Sequence, residues 1–210
     1  MNFLPLNPIR KEEVNIAQTT PPLEIQSDNK PKSNIAGYGL VAQLALTERF
    51  ALTIHPSIRK ADYTATTHLL EGTDNPNTIA DERRGTNIDE DTRARFLDVP
   101  VLLRFYGRPR QEEGHRWFAE LGPSLRWVRR VRTHRDILRP DQSRASNDTP
   151  VDFRKRVTGA TAGFGGQFID PYGVRVVPEV RYTRWLNGAF GNVSGRSRRH
   201  QVEIILSLTF

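Results

Sequence analysis

The last eleven residues of the chain, HQVEIILSLTF (His200–Phe210), alternate between apolar and polar side chains. The apolar positions that share one side are Val202, Ile204, Leu206, Leu208 and Phe210. Four of the five positions between them are polar, Ile205 being the exception. A period of two is typical of a β-strand with two different faces. Termini usually fray, so we expect this strand to be paired on both sides.

Seven other stretches have strand character. They are residues 2–9, 36–46, 50–63, 95–106, 116–128, 157–169 and 172–185. The first is short and contains proline, and we find no helical periodicity of comparable length. Long connections at 10–35, 64–94 and 132–153 alternate with tight turns at 47–49 and 170–171, and a medium loop spans 187–199. This order predicts an all-β, antiparallel, up-and-down fold of eight strands, with the long loops at one end.

Composition limits the alternatives. The chain has 210 residues, of which 37% are hydrophobic, so one domain is expected. No apolar run approaches the roughly 20 residues that a transmembrane helix needs. The absence of cysteine excludes disulfides and thiolate metal sites. The net charge of +7 is spread along the chain and does not by itself indicate nucleic acid.

Charged residues occupy the polar faces of the predicted strands. They are Arg59, Asp98, Arg104, Glu120, Arg126, Arg175, Glu179, Arg181 and Glu203. A closed eight-stranded barrel has an interior just wide enough for side chains, and each charge buried there needs a partner. We therefore expect these nine residues to form a charge network in the lumen. Gly159, Gly163 and Gly165 on one strand are expected to leave room for the guanidinium groups.

The other faces carry almost no charge in mid-strand and are aromatic near the strand ends. Tyr38 and Trp127 lie toward the long loops. Toward the short turns lie Phe50, Phe105, Trp117, Phe168, Tyr172 and Phe210. Two aromatic rings are what the two interfaces of a bilayer select. The pattern therefore favours a transmembrane β-barrel whose apolar face meets lipid, although an aromatic-rich β-sandwich core would also alternate.

Three segments resemble a known family. FLDVPVLLRFYG (96–107) with FAELGPSLRW (118–127), and GFGGQFIDPYGVRVVPEVRYTRW (163–185), resemble the eight-stranded outer-membrane β-barrel proteins of Gram-negative bacteria, in the broad OmpA/OmpX-like set. The final phenylalanine after alternating apolar residues is similar to the signal read by the outer-membrane assembly machinery, here Leu206, Leu208 and Phe210. The likeness covers 36–210, and 1–35 would be a residual first strand and a long polar loop of the same domain.

The resemblance implies a location in the bacterial outer membrane, with long loops outside and short turns in the periplasm. It also implies a monomer whose partners are outer-membrane lipid and the assembly machinery. The first strand is short and no signal peptide precedes it, so we expect an N-terminal truncation or a wrong start. The expected role is structural, adhesive or surface-interacting, with no catalysis, no cofactor and no nucleic acid. The alternative is a soluble lipocalin-like barrel that binds a small apolar ligand.

Other motifs were weighed against this interpretation. The five histidines lack metal-ligand spacing, and His55 and Ser57 are expected to face the lumen, where a lipid substrate has poor access. Basic residues near the long loops suggest contact with anionic surface lipid. They are Arg129, Arg130, Arg132, Arg135, Arg196, Arg198 and Arg199. Prolines inside predicted strands (Pro56, Pro100, Pro123 and Pro178) remove ladder hydrogen bonds, so bulges or local strain are expected there.

Overall fold

The computed structural model describes residues 2–3, 9–10, 14–16, 23–31, 36–73, 77, 83–109, 114–169, 174–192 and 195–209. Every regular element in these ranges is a β-strand. They are β1 (Asn2–Phe3), β2 (Ile9–Arg10), β3 (Val14–Ile16), β4 (Leu23–Pro31), β5 (Ala36–Gly39), β6 (Ala42–Ala45), β7 (Phe50–Ile54), β8 (Ser57–Glu71), β9 (Arg84–Tyr106), β10 (His115–Leu138), β11 (Arg144–Thr149), β12 (Arg156–Ile169), β13 (Arg175–Trp185), β14 (Gly191–Asn192), β15 (Gly195–Ser197) and β16 (His200–Thr209). The described ranges include no helix long and apolar enough to cross a membrane.

The main sheet is antiparallel and curls like half of a barrel. Its central neighbours follow chain order, because β8 pairs with β9, β9 with β10, β10 with β12, β12 with β13 and β13 with β16. The two residues of β1 pair with β16 on one side and with β5 on the other. The all-β, antiparallel prediction is therefore confirmed.

The strands predicted from alternation are present, with two breaks. Residues 36–46 form β5 and β6, which are separated at Leu40–Val41, and 50–63 form β7 and the first half of β8, which are separated at His55–Pro56. The tight link is also present: the amide of Leu46 donates to the carbonyl of Phe50 at 3.0 Å. Of the first predicted strand, only Asn2–Phe3 and Ile9–Arg10 are described.

The prediction of long loops at 64–94 and 132–153 is wrong for much of both ranges. β8 continues to Glu71, β9 begins at Arg84, and β10 continues to Leu138, where β11 adds to its edge. β4 adds to the edge of β8, within the predicted loop 10–35. We call the extension formed by β4, 61–71, 84–94, 131–138 and β11 the protruding sheet. Beyond the buried Ala61, Tyr63, Ala65 and Ala94, polar side chains occupy both of its faces, so the period-two hydrophobic signal is lost although the strands persist.

The prolines do not shift the strand register. Pro56 lies in the short break between β7 and β8, and both of these strands keep one register against β9. Pro100, Pro123 and Pro178 lie inside β9, β10 and β13. The register shift between β9 and β10 falls between Val128 and Arg130 instead. The expected bulges at proline are therefore absent. Pro100, Pro123 and Pro178 each keep a ladder partner on one side, and ladder pairs are missing only on the other side.

His134 links β10 to β11 in the protruding sheet. Its Nδ1 lies 3.0 Å from Asp148 Oδ1, and its Nε2 lies 3.0 Å from Ser146 Oγ and 3.7 Å from Asp136 Oδ1. The hydrogen bond to Asp148, with the charges of Asp136 and Asp91, raises the pKa of His134 above its ordinary value.

We expect the β10–β11 pairing to be most stable at low pH. A raised pKa means that the contribution is complete below the unfolded pKa of about 6.5 and is lost as the pH rises through the folded pKa. Hydrogen-exchange protection factors of β11 amides should therefore fall between pH 5.5 and 8, and His134→Gln should remove this dependence. An equal pH dependence in His134→Gln would contradict the assignment.

Candidate functional site: a buried network of ion pairs

The two faces of the curled sheet have the opposite polarity to those of a typical soluble β-barrel. Side chains on its inner face are buried and largely polar, and the alternate residues on its outer face are apolar and exposed. On β13, for example, Glu179 and Arg181 are buried, whereas Val180 is 53% exposed. Because strand residues point alternately to the two faces, the alternation in the sequence produces this inversion directly.

A lower cluster of ion pairs lies toward the short turns. Arg104 donates through Nε to Glu120 Oε2 at 2.8 Å and through Nη2 to Glu179 Oε2 at 3.0 Å. Arg181 donates through Nε to Glu120 Oε1 at 2.8 Å, and it also contacts Glu179. Its Nη1 donates to His55 Nδ1 at 2.7 Å. Each carboxylate in this cluster therefore meets both arginines.

An upper cluster lies toward the protruding sheet. Arg126 donates to Asp98 through two parallel hydrogen bonds of 2.7 Å, the bidentate geometry that guanidinium and carboxylate favour. Arg59 pairs with the same carboxylate at 3.0 Å and also with Glu203. Gln201 joins the set, because its Oε1 accepts from Arg126 at 2.6 Å and its Nε2 donates to Glu203 at 2.6 Å.

Eight of the nine residues predicted for the lumen network lie in these two clusters, which contain four arginines and four carboxylates. Their formal charges therefore cancel. Arg175 is separate, since none of the ion pairs recorded for the described residues includes it. Glu203 lies opposite Arg181 in the β13–β16 ladder, but its ion pair is with Arg59.

The glycines of β12 make room for groups other than guanidinium. A Cβ atom at Gly163 would lie 2.9 Å from Glu120 Cγ and 3.0 Å from Glu179 Oε1. At Gly165 it would meet the ring of Phe118, and at Gly159 the ring of Trp185. The expectation that these glycines accommodate guanidinium groups is therefore corrected: they accommodate carboxylates and aromatic rings.

Apolar layers cover both ends of the network. Below it lies a cluster formed by Ala51, Tyr106, Phe118 and Val177. Above it, Phe190 stacks against Tyr63 and Phe96 with ring centroids 6.1 and 6.2 Å apart. The guanidinium of Arg126 lies between the rings of Phe96 and Trp185, at 4.7 and 4.2 Å. Sequence reasoning missed these rings; Phe96 and Trp185 could have been found as aromatic residues on an otherwise polar face.

The space left inside the network is small. A cavity of about 10 Å³ lies between the upper and lower clusters, next to Arg59, Asp98 and Arg181. A chain of hydroxyls crosses this level, with Ser124 Oγ 2.6 Å from Thr161 Oγ1, which lies 2.7 Å from Thr183 Oγ1. Because one water molecule needs roughly 10–15 Å³, this cavity could hold about one.

The aromatic residues predicted to form two rings lie on the outer face wherever the structure describes them. Phe105 contacts Phe50 and Trp117 with ring centroids 5.3 and 5.9 Å apart, and the exposed Phe168 of β12 pairs with His115 at the same end of β10. Tyr38 pairs with Ile58, Ile58 with Leu97 and Leu97 with Trp127, so Tyr38 and Trp127 belong to one cross-strand row. Tyr172 and Phe210 lie outside the described residues, whereas Leu206 and Leu208 are exposed. Their recognition by the assembly machinery stays a prediction.

His55 and Ser57 face the interior, as the sequence predicted. His55 is buried against Arg181, and Ser57 is buried at the same inner face. Across the described ranges, no group of three or more His, Cys, Asp or Glu residues is placed to hold a metal ion.

Comparison with known proteins gives no relative: no family model, curated protein or solved structure matches the chain. Its function must therefore be inferred from its own residues.

Charge balance should decide the stability of the lower cluster. Glu120→Gln leaves Arg104 and Arg181 sharing one carboxylate, and breaking a buried pair in this way costs about 3–5 kcal/mol. Arg104→Met combined with Glu120→Leu removes one charge of each sign and leaves Arg181 with Glu179. We expect this double variant to lose less free energy of unfolding than Glu120→Gln, as measured by urea titration.

Glu48→Gln, in the exposed turn after β6, is the matched control and should change the free energy of unfolding little. A double variant less stable than Glu120→Gln would show that specific contacts, rather than charge balance, dominate.

Proposed function

We propose that this chain is an outer-membrane β-barrel protein of the OmpA/OmpX-like type. Eight strands would close around a packed polar lumen, and the protruding sheet would stand outside the cell. Its role would be structural, adhesive or surface-interacting, without catalysis, and it would act as a monomer in the bacterial outer membrane.

One observation carries the proposal: ion pairs are buried inside the sheet while large apolar side chains are exposed outside it. The exposed set includes Leu103, Trp117, Leu121, Phe164, Val180, Ile204, Leu206 and Leu208. A monomeric protein in water rarely exposes a continuous apolar band of this extent. In a bilayer, the same band is what lipid requires.

The height of the apolar band fits a bilayer. On β9 the outward residues run from Leu97, in the row of Trp127, to Phe105, in the row of Phe50. Eight residues span about 26 Å along a strand, or about 20 Å across a membrane at the usual tilt. This is comparable with the apolar band of about 25 Å in outer-membrane barrels.

Two further features support a closed, packed barrel. Asn2 pairs with both Ile205 and Gly37, so a short β1 bridges β16 and β5, the two ends of the curled sheet. The neutral network and its cavity of about 10 Å³ leave little room for a conducting path. A lipocalin-like function is less well supported, because its ligand would need an apolar interior where the arginines and carboxylates lie.

The membrane assignment predicts a heat-modifiable membrane protein. Expressed with an export signal, the chain should sediment with outer membranes, and its electrophoretic mobility in detergent should change on boiling because a folded barrel resists the detergent. A chain that stays soluble without detergent would overturn the proposal.

Leu121→Arg, at mid-height of the apolar band, should lower the free energy of unfolding in a bilayer by about 2–4 kcal/mol, because it places a charge in lipid. Leu138→Arg in the protruding sheet is the matched control: a soluble protein would tolerate both changes equally.

Barrel closure can be tested by engineered disulfides, since the chain has no cysteine. Asn2→Cys with Ile205→Cys, and Phe3→Cys with Ile204→Cys, pair residues that are partners in the β1–β16 register. At least one pair should cross-link under mild oxidation in the membrane-inserted protein, as judged by non-reducing electrophoresis. Phe3→Cys with Leu208→Cys is the control and should not cross-link. Equal cross-linking in all three variants would contradict the β1–β16 register.

A further inference from the structure

A row of three cations crosses the outer face directly above the apolar band. The last apolar row consists of Ile58, Leu97 and Trp127, which are cross-strand partners. The next outward partners are Lys60 and Arg95, two residues further along β8 and β9, and Arg130, three residues further along β10 because of the register shift. All three are exposed. The outer face therefore changes from apolar to cationic within one row, and we call these three residues the cationic row.

The cationic row is electrostatically unfavourable by itself. Directly opposed cross-strand residues have Cβ atoms about 4.5–5.5 Å apart, and like charges at that separation destabilise a sheet. Among the residues that the structure describes, no carboxylate forms an ion pair with any of the three. The next outward row differs, because Arg93 opposes Asp62 and pairs with Asp91 at 3.8 Å. The cationic row therefore has no paired carboxylate, whereas Arg93 in the next row has one.

A groove adjoins the row at the register shift of β10. Its volume is about 500 Å³, and Leu97, Trp127, Val128 and Phe153 contribute apolar surface. Its remaining lining residues are the cations Arg129, Lys155 and Arg156, all exposed. No carboxylate lines it. Apolar surface beneath unpaired cations matches the chemistry of an anionic lipid, which carries a phosphate at the head and hydrocarbon below it.

The other basic residues expected to meet lipid differ from this set. Arg135 points to the inner side and pairs with Glu90, so it is not available to an external anion. Arg132 lies one row further from the apolar band, opposite Arg93. Depth therefore separates the cationic row from Arg132, because the position of the row is that of the headgroup layer if the apolar band spans the membrane.

We propose that the cationic row and the adjoining groove bind the phosphate groups of anionic lipids in the leaflet next to the protruding sheet. The inference rests on the proposed function, since it requires the apolar band to lie in a bilayer. Lipid phosphates neutralise Lys60, Arg95 and Arg130, and the upper part of an acyl chain lies on Leu97, Trp127 and Phe153. Anionic lipid is thereby enriched around this side of the protein.

The test uses Trp127, which lies beside the row, as the quenchable reporter in the full chain carrying Trp117→Phe. The other remaining tryptophan, Trp185, is 2% exposed on the inner face and is shielded from lipid. The protein is refolded into phosphatidylcholine vesicles that contain a small, equal fraction of either phosphatidylglycerol or phosphatidylcholine brominated high on the acyl chain. We expect Trp127 quenching to correspond to about fivefold enrichment of the anionic lipid. Lys60→Gln, Arg95→Gln and Arg130→Gln together should make the two lipids quench equally.

The control triple variant removes the same charge from the far end of the protruding sheet, through Arg84→Gln, Arg139→Gln and Arg144→Gln, and should keep the preference. A second triple variant, Arg129→Gln, Lys155→Gln and Arg156→Gln, should reduce it. The cationic-row variant should also unfold at an equal or higher urea concentration than the parent in neutral micelles, because it removes repulsion. Lower stability there would overturn the claim that the row is uncompensated.

The remaining outcomes separate the two proposals. Failure to insert into neutral phosphatidylcholine vesicles overturns the membrane assignment, and this inference with it. Insertion with equal quenching by both brominated lipids overturns the inference alone. Soluble polyphosphate should leave the preference intact. If it abolishes the preference at concentrations comparable with the anionic lipid, the row binds soluble polyanions rather than a leaflet.

Discussion

The mutual neutralisation of four arginines and four carboxylates is the condition on which the rest of this structure depends. Charges of this number can be buried only if each finds a partner, because isolated charges cost several kcal/mol each. The clusters meet that condition with Arg104 and Arg181 shared by Glu120 and Glu179, and with Arg59 and Arg126 shared by Asp98. With these charges paired inside, the apolar side chains cover the outside.

Many strands of the curled sheet could be predicted from the sequence because their outer face is apolar in mid-strand. Where Val99, Val101 and Leu103 alternate with Asp98 and Arg104, the period of two identifies both the strand and the side of each residue. The membership of the charge network followed from the same alternation. The individual ion pairs could not be predicted in this way. Glu203 lies directly opposite Arg181 in the ladder, yet it pairs with Arg59. Such diagonal pairs depend on strand tilt and side-chain length, which alternation does not encode.

The protruding sheet and the packing of Phe190 above the network could not be predicted from the sequence. Thr64–Glu71 and Arg84–Ala94 form strands although polar side chains occupy both faces, so no period distinguishes them from loops. Their pairing depends on cross-strand contacts such as the 2.6 Å hydrogen bond between Thr92 and Thr133. Phe190 reaches Tyr63 and Phe96 from a segment without any periodicity. Tertiary contacts, rather than local pattern, determine both features.

The extra residue at the register shift of β10 determines which residues of the strand point inward on either side of it. Below it, even-numbered residues such as Glu120 and Arg126 face inward; above it, odd-numbered residues such as Thr133 do so. Arg129 is thus the extra residue of a β-bulge: after it, the residues that would have faced inward in a regular strand face outward, and the reverse. Arg130 and Arg132 point outward for this reason alone. If β10 continued past Val128 without the register shift, both would face the interior and Thr133 would be exposed. One backbone irregularity therefore decides which chemistry the upper half of the strand presents to its surroundings.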